Sequence, residues 1–247
     1  MKAKIGSIIE NSLVDVIGSP SFVIWFSGCN FSCPWCFASP LVSGGGIFID
    51  IDEVIKRIEK NSFAIEYVQA TGGEPTLQID FLEELFFKVK KLSLKCSLDT
   101  NSSNPKEVER LVKKGLIDHY ATDIKTKLED ENYWVVIGKR IEGIVDRIEK
   151  SLEIAKNVDF LEIRTTFVPS LIKIEDVEEA WKRVKEIVGE ANFVLQQFNP
   201  SEDLIDKKFL SERVLSHKEL IKIAKRIKER VKLKNVYVRS KYGVDSV

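Results

Sequence analysis

The chain has 247 residues, which suits one large α/β domain or two small ones, and its 38 basic and 38 acidic residues leave no net charge. That balance argues against a bulk attraction for nucleic acid or anionic lipid, and no apolar segment is long enough to span a membrane. The N-terminal sequence MKAKIGSIIENS lacks the apolar run of a signal peptide. We therefore expect a cytoplasmic protein with neither a membrane nor a nucleic-acid partner.

Short apolar runs alternate with longer segments of helical periodicity. The runs predict six buried strands, at residues 21–27, 64–70, 95–99, 119–124, 159–168 and 192–198. Apolar residues recur at helical spacing after each strand, within 51–58, 82–89, 105–115, 141–148, 177–184 and 216–227. Asn104 and Pro105 are typical of a helix start, Gly115 of a helix end, and Ser216 with Glu219 of a capping box.

Six strand–helix units in strict alternation predict an α/β fold with a parallel sheet and right-handed crossovers. Six units rather than eight indicate a partial (β/α)6 barrel, and an open doubly wound sheet is the alternative. We expect one domain over residues 1–247, with a core at about 20–232 and a short C-terminal extension. In either fold, ligands bind beyond the carboxyl ends of the strands, so candidate site residues should follow the strands directly.

Three cysteines follow the first predicted strand, in the loop SGCNFSCPWCFAS. Cys29, Cys33 and Cys36 are clustered, and in a cytosolic chain such cysteines more often hold metal than form disulfides. An iron–sulfur cubane is commonly held by four thiolates, so three would leave one iron open to another ligand. The fourth cysteine, Cys96, lies in a predicted strand and is expected to pack in the core.

A structural zinc site is the main alternative for these cysteines, and a disulfide is another. Zinc prefers four closed ligands, usually from cysteine and histidine. The chain contains only two histidines, His119 and His217, and both are distant from the three cysteines in sequence.

The order of motifs resembles the radical S-adenosylmethionine superfamily. The Cys-x3-Cys-x2-Cys loop has an aromatic residue, Trp35, before its last cysteine, and TGGEPTLQ follows the second strand with the glycine pair Gly72–Gly73. The resemblance implies a 4Fe–4S cluster with three cysteine ligands. It implies that the amine and carboxylate of S-adenosylmethionine chelate the open iron. One electron would then cleave the cofactor to methionine and a 5′-deoxyadenosyl radical.

Further segments resemble the activating enzymes of glycyl-radical enzymes. They are SLVD (12–15), LDTNSSNP (98–105), ATDIK (121–125), EIRTTFVP (162–169) and LQQF (195–198). They are most similar to the longer type of anaerobic ribonucleoside-triphosphate reductase activating protein, a relative of pyruvate formate-lyase activase. This resemblance implies a glycyl-radical enzyme, anaerobic ribonucleotide reductase above all, as the protein substrate. It also implies a flavodoxin or ferredoxin as the electron donor.

The same resemblance assigns roles to individual positions. The cluster ligands would be Cys29, Cys33 and Cys36. The residues bordering S-adenosylmethionine would be Trp35, Phe37, Gly72, Gly73, Glu74 and Asn199. The positions that match a monovalent-cation site beside the cofactor are Asp99, Thr100 and Asp123. The side chains facing the cofactor carboxylate or the peptide substrate would be Lys125 and Arg164.

The residues themselves leave some of these roles open. Asp99 could instead cap the turn that follows it, and Asp123 with Lys125 could form a solvated strand end. The chain also departs from the family pattern. Phe37 and Ala38 stand where a His-Asn pair is frequent, and Asn199 stands near the place of a histidine.

Two other functions remain open at the level of sequence. One is a radical enzyme that acts on a small molecule, such as a 7-carboxy-7-deazaguanine synthase, although that family usually has a longer spacing between its first two cysteines. The other is a zinc-binding interaction module without catalysis. No further cysteines are present to hold a second cluster.

Overall fold

Ten β-strands form one mixed sheet in this computed structural model, which describes residues 1–247. The strands are β1 (Lys2–Val16), β2 (Ser19–Phe26), β3 (Ile47–Asp50), β4 (Tyr67–Gly72), β5 (Lys95–Thr100), β6 (His119–Asp123), β7 (Phe160–Phe167), β8 (Asn192–Gln197), β9 (Asn235–Ser240) and β10 (Gly243–Ser246). The helices are α1 (Ser39–Val42), α2 (Ile51–Asn61), α3 (Ile79–Lys91), α4 (Pro105–Lys113), α5 (Asp130–Ile137), α6 (Ile144–Ala155), α7 (Ile174–Val188) and α8 (His217–Val231). Two 3-10 turns lie at Pro75–Gln78 and Lys207–Ser211.

The strand order identifies the architecture. The sheet runs β10-β9-β8-β7-β6-β5-β4-β2-β1-β3, and the strands from β2 through β9, apart from β3, are parallel neighbours in chain order. A doubly wound sheet reverses its strand order at a switch point, and this sheet does not. Right-handed crossovers in one direction place the connecting helices on one face of the sheet. No pairing joins β10 to β3. The fold is therefore the predicted partial barrel, with a parallel sheet left open between its edges.

The six predicted strands are confirmed as β2, β4, β5, β6, β7 and β8, with ends that differ by up to three residues. The predicted capping box of α8 is present, because Ser216 accepts from the Glu219 amide and the Glu219 carboxylate accepts from the Ser216 amide. Pro105 is the first residue of α4, and Gly115, with φ of 63°, follows its end. Ile141, expected within the next helix, precedes α6.

The expected short C-terminal extension has secondary structure of its own. Residues after 232 form β9, a seventh parallel strand beside β8, and β10, which pairs with β9 in antiparallel fashion. At the other edge, β1 and β3 add two antiparallel strands that the sequence pattern did not indicate. These added strands extend the sheet at both of its edges and flank the open side of the barrel.

The hydrophobic core lies between the parallel strands and the helices that cover them. It consists of 60 buried residues, and it includes Cys96, for which core packing was predicted, together with Phe86 and Trp181. Burial at this scale supplies the main stabilisation of the fold. No helix is both long and apolar enough to cross a membrane.

Candidate functional site

A cavity of about 670 Å³ opens at the carboxyl ends of the parallel strands. Its walls include every residue that the sequence assigned to the site except Glu74: Cys29, Cys33, Trp35, Cys36, Phe37, Gly72, Gly73, Asp99, Thr100, Asp123, Lys125, Arg164 and Asn199. These residues come from six different strand–loop units. Their convergence follows from the parallel topology, because the carboxyl ends of parallel strands meet at one edge of the sheet.

The cysteine loop is held on both sides by backbone hydrogen bonds. On one side the Ser32 amide donates to Ile137 O at 2.9 Å, at the end of α5. On the other side the Asp206 amide donates to Pro34 O at 2.8 Å, and the Ile205 amide donates to Cys36 O at 3.1 Å. The loop that carries the three thiols is therefore fixed by chain segments from the middle and the end of the sequence.

The glycine pair brings the end of β4 against the start of the cysteine loop. Gly72 has φ of 115°, a conformation that favours glycine. A Cβ atom on Gly73 would lie 2.0 Å from Gly28 O, so no larger residue fits there without moving backbone. The two glycines therefore permit a backbone contact between β4 and the cysteine loop.

The structure places Glu74 behind the cavity rather than in it. Its carboxylate is fully buried and accepts hydrogen bonds from the Thr76 amide and hydroxyl at 3.0 and 2.6 Å, the Thr100 hydroxyl at 2.8 Å and the Asn101 amide at 2.7 Å. Burial raises the pKa of Glu74, and these donors oppose that rise. Glu74 thus joins the loop after β4 to the loop after β5. Of the residues assigned to the cofactor, Glu74 is thus the one that does not line the cavity.

Burial dominates the state of the cysteine thiols. All four cysteines are free, and burial raises the pKa of Cys29 to about 11 and that of Cys33 to about 12. The pKa of Cys36 is raised for the same reason. Without a bound metal the three thiols are therefore neutral at pH 7, and metal binding would release protons from them.

Asp99 and Asp123 face each other across Arg164. The Arg164 guanidinium donates to Asp99 and lies 3.4 Å from the Asp123 carboxylate and 3.8 Å from that of Glu162. Burial raises the pKa of Asp123, but Arg164 and Lys125 outweigh it, so the net shift is downward. The carboxylates predicted to hold a monovalent cation are thus paired with a cationic side chain of the protein itself.

Lys125 is a buried cation that faces the cavity. Its ammonium lies 5.1 Å from the centre of the Trp35 ring, and no carboxylate is hydrogen-bonded to it. Its backbone amide donates to the Tyr133 hydroxyl at 3.1 Å, which fixes the end of β6 against α5. The alternative of a solvated strand end does not hold for Lys125, since only 8% of the residue is exposed. Its ammonium is available for an anionic group in the cavity.

Several cavity residues were missed by the sequence analysis. The C-terminal hairpin contributes Arg239, Ser240, Lys241 and Gly243, and the loop after β5 contributes Asn101. Arg239 bonds to Glu162 at 2.9 Å and to Gln196 at 3.0 Å. The alternation of β9, NVYVRS, was the signal that could have indicated a strand ending in the site. The Asn101 amide group donates to Asn30 at 2.8 Å within the cysteine loop.

Neither histidine lines the cavity. His119 is buried beneath it, where it pairs with Ser97 at 2.9 Å and lies 3.6 Å from Glu162. His217 begins α8 and pairs with Asp245. No three of the His, Cys, Asp and Glu side chains are arranged to hold a single metal ion. That finding concerns a single ion such as zinc and not a cubane, in which each thiolate binds a different iron.

Comparison with known proteins identifies the family. The model of the radical SAM superfamily matches residues 23–187. A Methanocaldococcus jannaschii protein with the provisional name glycyl-radical enzyme activating enzyme is 31% identical over 244 residues, which cover 98% of each chain. A 7-carboxy-7-deazaguanine synthase of Thermococcus kodakarensis is 24% identical over 218 residues, or 80% of each chain.

A solved structure supports the fold independently. QueE from Escherichia coli superposes with a TM-score of 0.56 at 13% identity, over 96% of this chain and 94% of that one. The family match spans the cysteine loop and the strands from β4 to β7, where the cavity is built. On this match, which extends over more than half of its length, the chain belongs to the radical S-adenosylmethionine superfamily.

Proposed function

We propose that this protein is a glycyl-radical enzyme activating enzyme, which removes a hydrogen atom from a glycine Cα of a partner enzyme, most specifically an anaerobic ribonucleotide reductase. The proposal rests on the relative from Methanocaldococcus jannaschii, whose provisional name states this activity and which aligns over 98% of both chains. Similarity over the whole chain includes the strands and hairpins beyond the cofactor motifs.

The residues present fit the cofactors that the family implies. Three free thiols from one loop line the same cavity, as a cubane with one open iron requires. Gly73 leaves room only for backbone beside that loop, and the buried Trp35 Nε1 atom has no hydrogen-bond partner within the protein. When bound, the reduced 4Fe–4S cluster supplies one electron to S-adenosylmethionine, which yields methionine and a 5′-deoxyadenosyl radical.

The side chains of the cavity have separate tasks in this proposal. Cys29, Cys33 and Cys36 hold the cluster, and the unpaired Lys125 ammonium binds a carboxylate of the cofactor. Aromatic side chains form part of the wall: the Phe37 ring meets Trp25 edge to face at 5.9 Å between centroids.

The mouth of the cavity suits a protein substrate. Val14 and Phe37 line the cavity and are 64% and 53% exposed, and the adjacent Leu13 is 76% exposed. On the opposite side Tyr242, which is 73% exposed, stands between the cavity residues Lys241 and Gly243. Apolar side chains exposed together around a site are typical of a surface that contacts another protein. A flexible glycine-bearing loop could enter between these two sides.

Electron paramagnetic resonance of a partner enzyme tests the proposal. We expect a glycyl-radical enzyme from the same organism to acquire a doublet signal after anaerobic incubation with the reconstituted protein, S-adenosylmethionine and a reductant. The doublet should collapse when the glycine Cα is deuterated, and the Cys33→Ala protein should produce no signal. Cofactor cleavage without a radical on any such partner would contradict the activase assignment. A flavodoxin or ferredoxin is the proposed reductant in a cytoplasmic setting.

The second candidate is a radical enzyme acting on a small molecule. It is favoured by the Thermococcus kodakarensis relative and by the cation Lys241, which lines the cavity and could bind a carboxylate of such a substrate. Product analysis with candidate pterin and purine-like substrates would separate the two functions, because an activase forms a radical on a protein and does not convert such small molecules.

A further inference from the structure

The two carboxylates that the sequence matched to a monovalent-cation site already share a positive partner. Arg164 extends from β7 between the ends of β5 and β6, and its Nη2 atom contacts Asp99 Oδ1 and Asp123 Oδ2. Asp123 and Arg164 are also register partners in the β6–β7 ladder. The guanidinium therefore occupies the space between the two carboxylates, where a metal cation that bridges them would lie.

The remaining carboxylate oxygens are also engaged by the protein. Asp99 Oδ2 accepts from the Thr71 hydroxyl at 2.8 Å, and Asp123 Oδ1 accepts from the Gln196 amide group at 3.4 Å. A metal ion would have to replace these hydrogen bonds as well as the guanidinium. The donor set around Asp99 and Asp123 thus fits an arginine and does not fit an additional cation.

Neighbouring charged side chains on β7 and β9 hold Arg164 in this position. Its side chain is only 6% exposed, and Glu162, two residues earlier on the same face of β7, lies 3.8 Å from its Nη1 atom. Glu162 is itself fixed by Arg239 at 2.9 Å. A guanidinium is planar, permanently charged and weakly hydrated, so it can bridge two carboxylates in a buried site where a small ion would first have to lose water.

We propose that Arg164 replaces the monovalent cation in this protein, and that S-adenosylmethionine binding is therefore independent of sodium and potassium. Arg164 acts here as a positioning residue: it fixes the ends of β5 and β6 beside the cofactor. The inference does not depend on the identity of the substrate, and its test involves no partner enzyme.

The test is a titration of S-adenosylmethionine into the reconstituted protein in sodium, potassium or choline chloride at equal ionic strength. Affinities of the wild type should agree within about threefold among the three salts, a difference that corresponds to well under one charge-assisted hydrogen bond. A larger, saturable requirement for sodium or potassium in the wild type would overturn the proposal.

Two variants at position 164 sharpen the result. Arg164→Gln removes the charge and leaves two buried carboxylates facing each other, so its affinity should fall by about tenfold or more in choline and recover in sodium or potassium. Arg164→Lys retains a cation and should remain independent of the salt. The melting temperature of the cofactor-free variants gives a second readout, and only Arg164→Gln should be stabilised by an alkali cation. A folded Arg164→Gln protein that behaves alike in all three salts would also contradict the proposal; if that variant does not fold, the wild-type titration decides.

Discussion

Replacing Glu74 by glutamine separates a structural role of this carboxylate from a role in cofactor binding. The carboxylate accepts four hydrogen bonds, two of them from the backbone amides of Thr76 and Asn101, which can only donate. A glutamine side chain has one acceptor oxygen, so its NH2 group would face one of these amides. An unsatisfied buried donor and the loss of charge-assisted bonds together cost about 2–4 kcal/mol.

For a chain of this length, that loss should lower the melting temperature by about 5–15 °C. Thermal unfolding of the cofactor-free protein measures it, and Glu53→Gln, on the exposed face of α2, is the matched control, with an expected effect below about 0.5 kcal/mol. Cofactor affinity should fall only as a consequence of the loosened loops. If Glu74→Gln melted like the wild type but bound S-adenosylmethionine poorly, the carboxylate would contact the cofactor after all, and the structural role would be refuted.

Three further changes test other parts of the site. Gly73→Ala places a methyl group 2.0 Å from Gly28 O and should prevent stable cluster incorporation, measured as iron per protein; Gly115→Ala, where φ is 63° but space is open, should cost only stability. Cys96→Ala should leave the iron content unchanged, because this thiol is fully buried in the core; a lost cluster would reveal a fourth ligand. Burial raises the pKa of Glu162, but the neighbouring histidine and arginines outweigh burial, so the pKa in the folded protein lies below its ordinary value of 4.5. The stability that this carboxylate contributes is present above its unfolded-state pKa and is lost as the pH falls through the lower folded-state pKa. Glu162→Gln should therefore make the free energy of unfolding fall less steeply below pH 4.5. An unchanged pH dependence of stability in that range would count against the ion pairs of Glu162.

The six central strands could be predicted from sequence because strands of a parallel sheet are covered on both sides and appear as short apolar runs. The edge strands lack that signal. In β1 the polar residues Glu10, Asn11 and Asp15 interrupt the apolar pattern, and β3 and β10 have only four residues each. Their pairing depends on neighbours that are distant in sequence, which periodicity does not reveal.

Most of the candidate site could be predicted because its residues follow the strands directly, and the topology then brings them together. The direction of a side chain is a different matter. Glu74 stands at the expected position in the chain, but it caps the 3-10 turn Pro75–Gln78 by accepting from the Thr76 amide. Proline is frequent at the first position of a helix, and Pro75 directly after Glu74 carries that signal. The structure shows the cap, and the Glu74→Gln variant tests whether the carboxylate also contacts the cofactor.

A series of bonded polar and charged side chains in the cavity explains why the C-terminal hairpin belongs to the site. One such side chain lies near the carboxyl end of each of six successive parallel strands, from β4 to β9: Thr71, Asp99, Asp123, Arg164, Gln196 and Arg239. Hydrogen bonds and ion pairs link them as Thr71–Asp99–Arg164–Asp123–Gln196–Arg239, because Arg164 bridges the two aspartates and Gln196 bonds to both Asp123 and Arg239. Arg239 is therefore connected, through side chains alone, to the carboxylates beside the proposed cofactor. Because the same hairpin carries Lys241 and Gly243 at the cavity mouth, a substrate that contacts this hairpin touches the end of the network that positions the ends of β5 and β6.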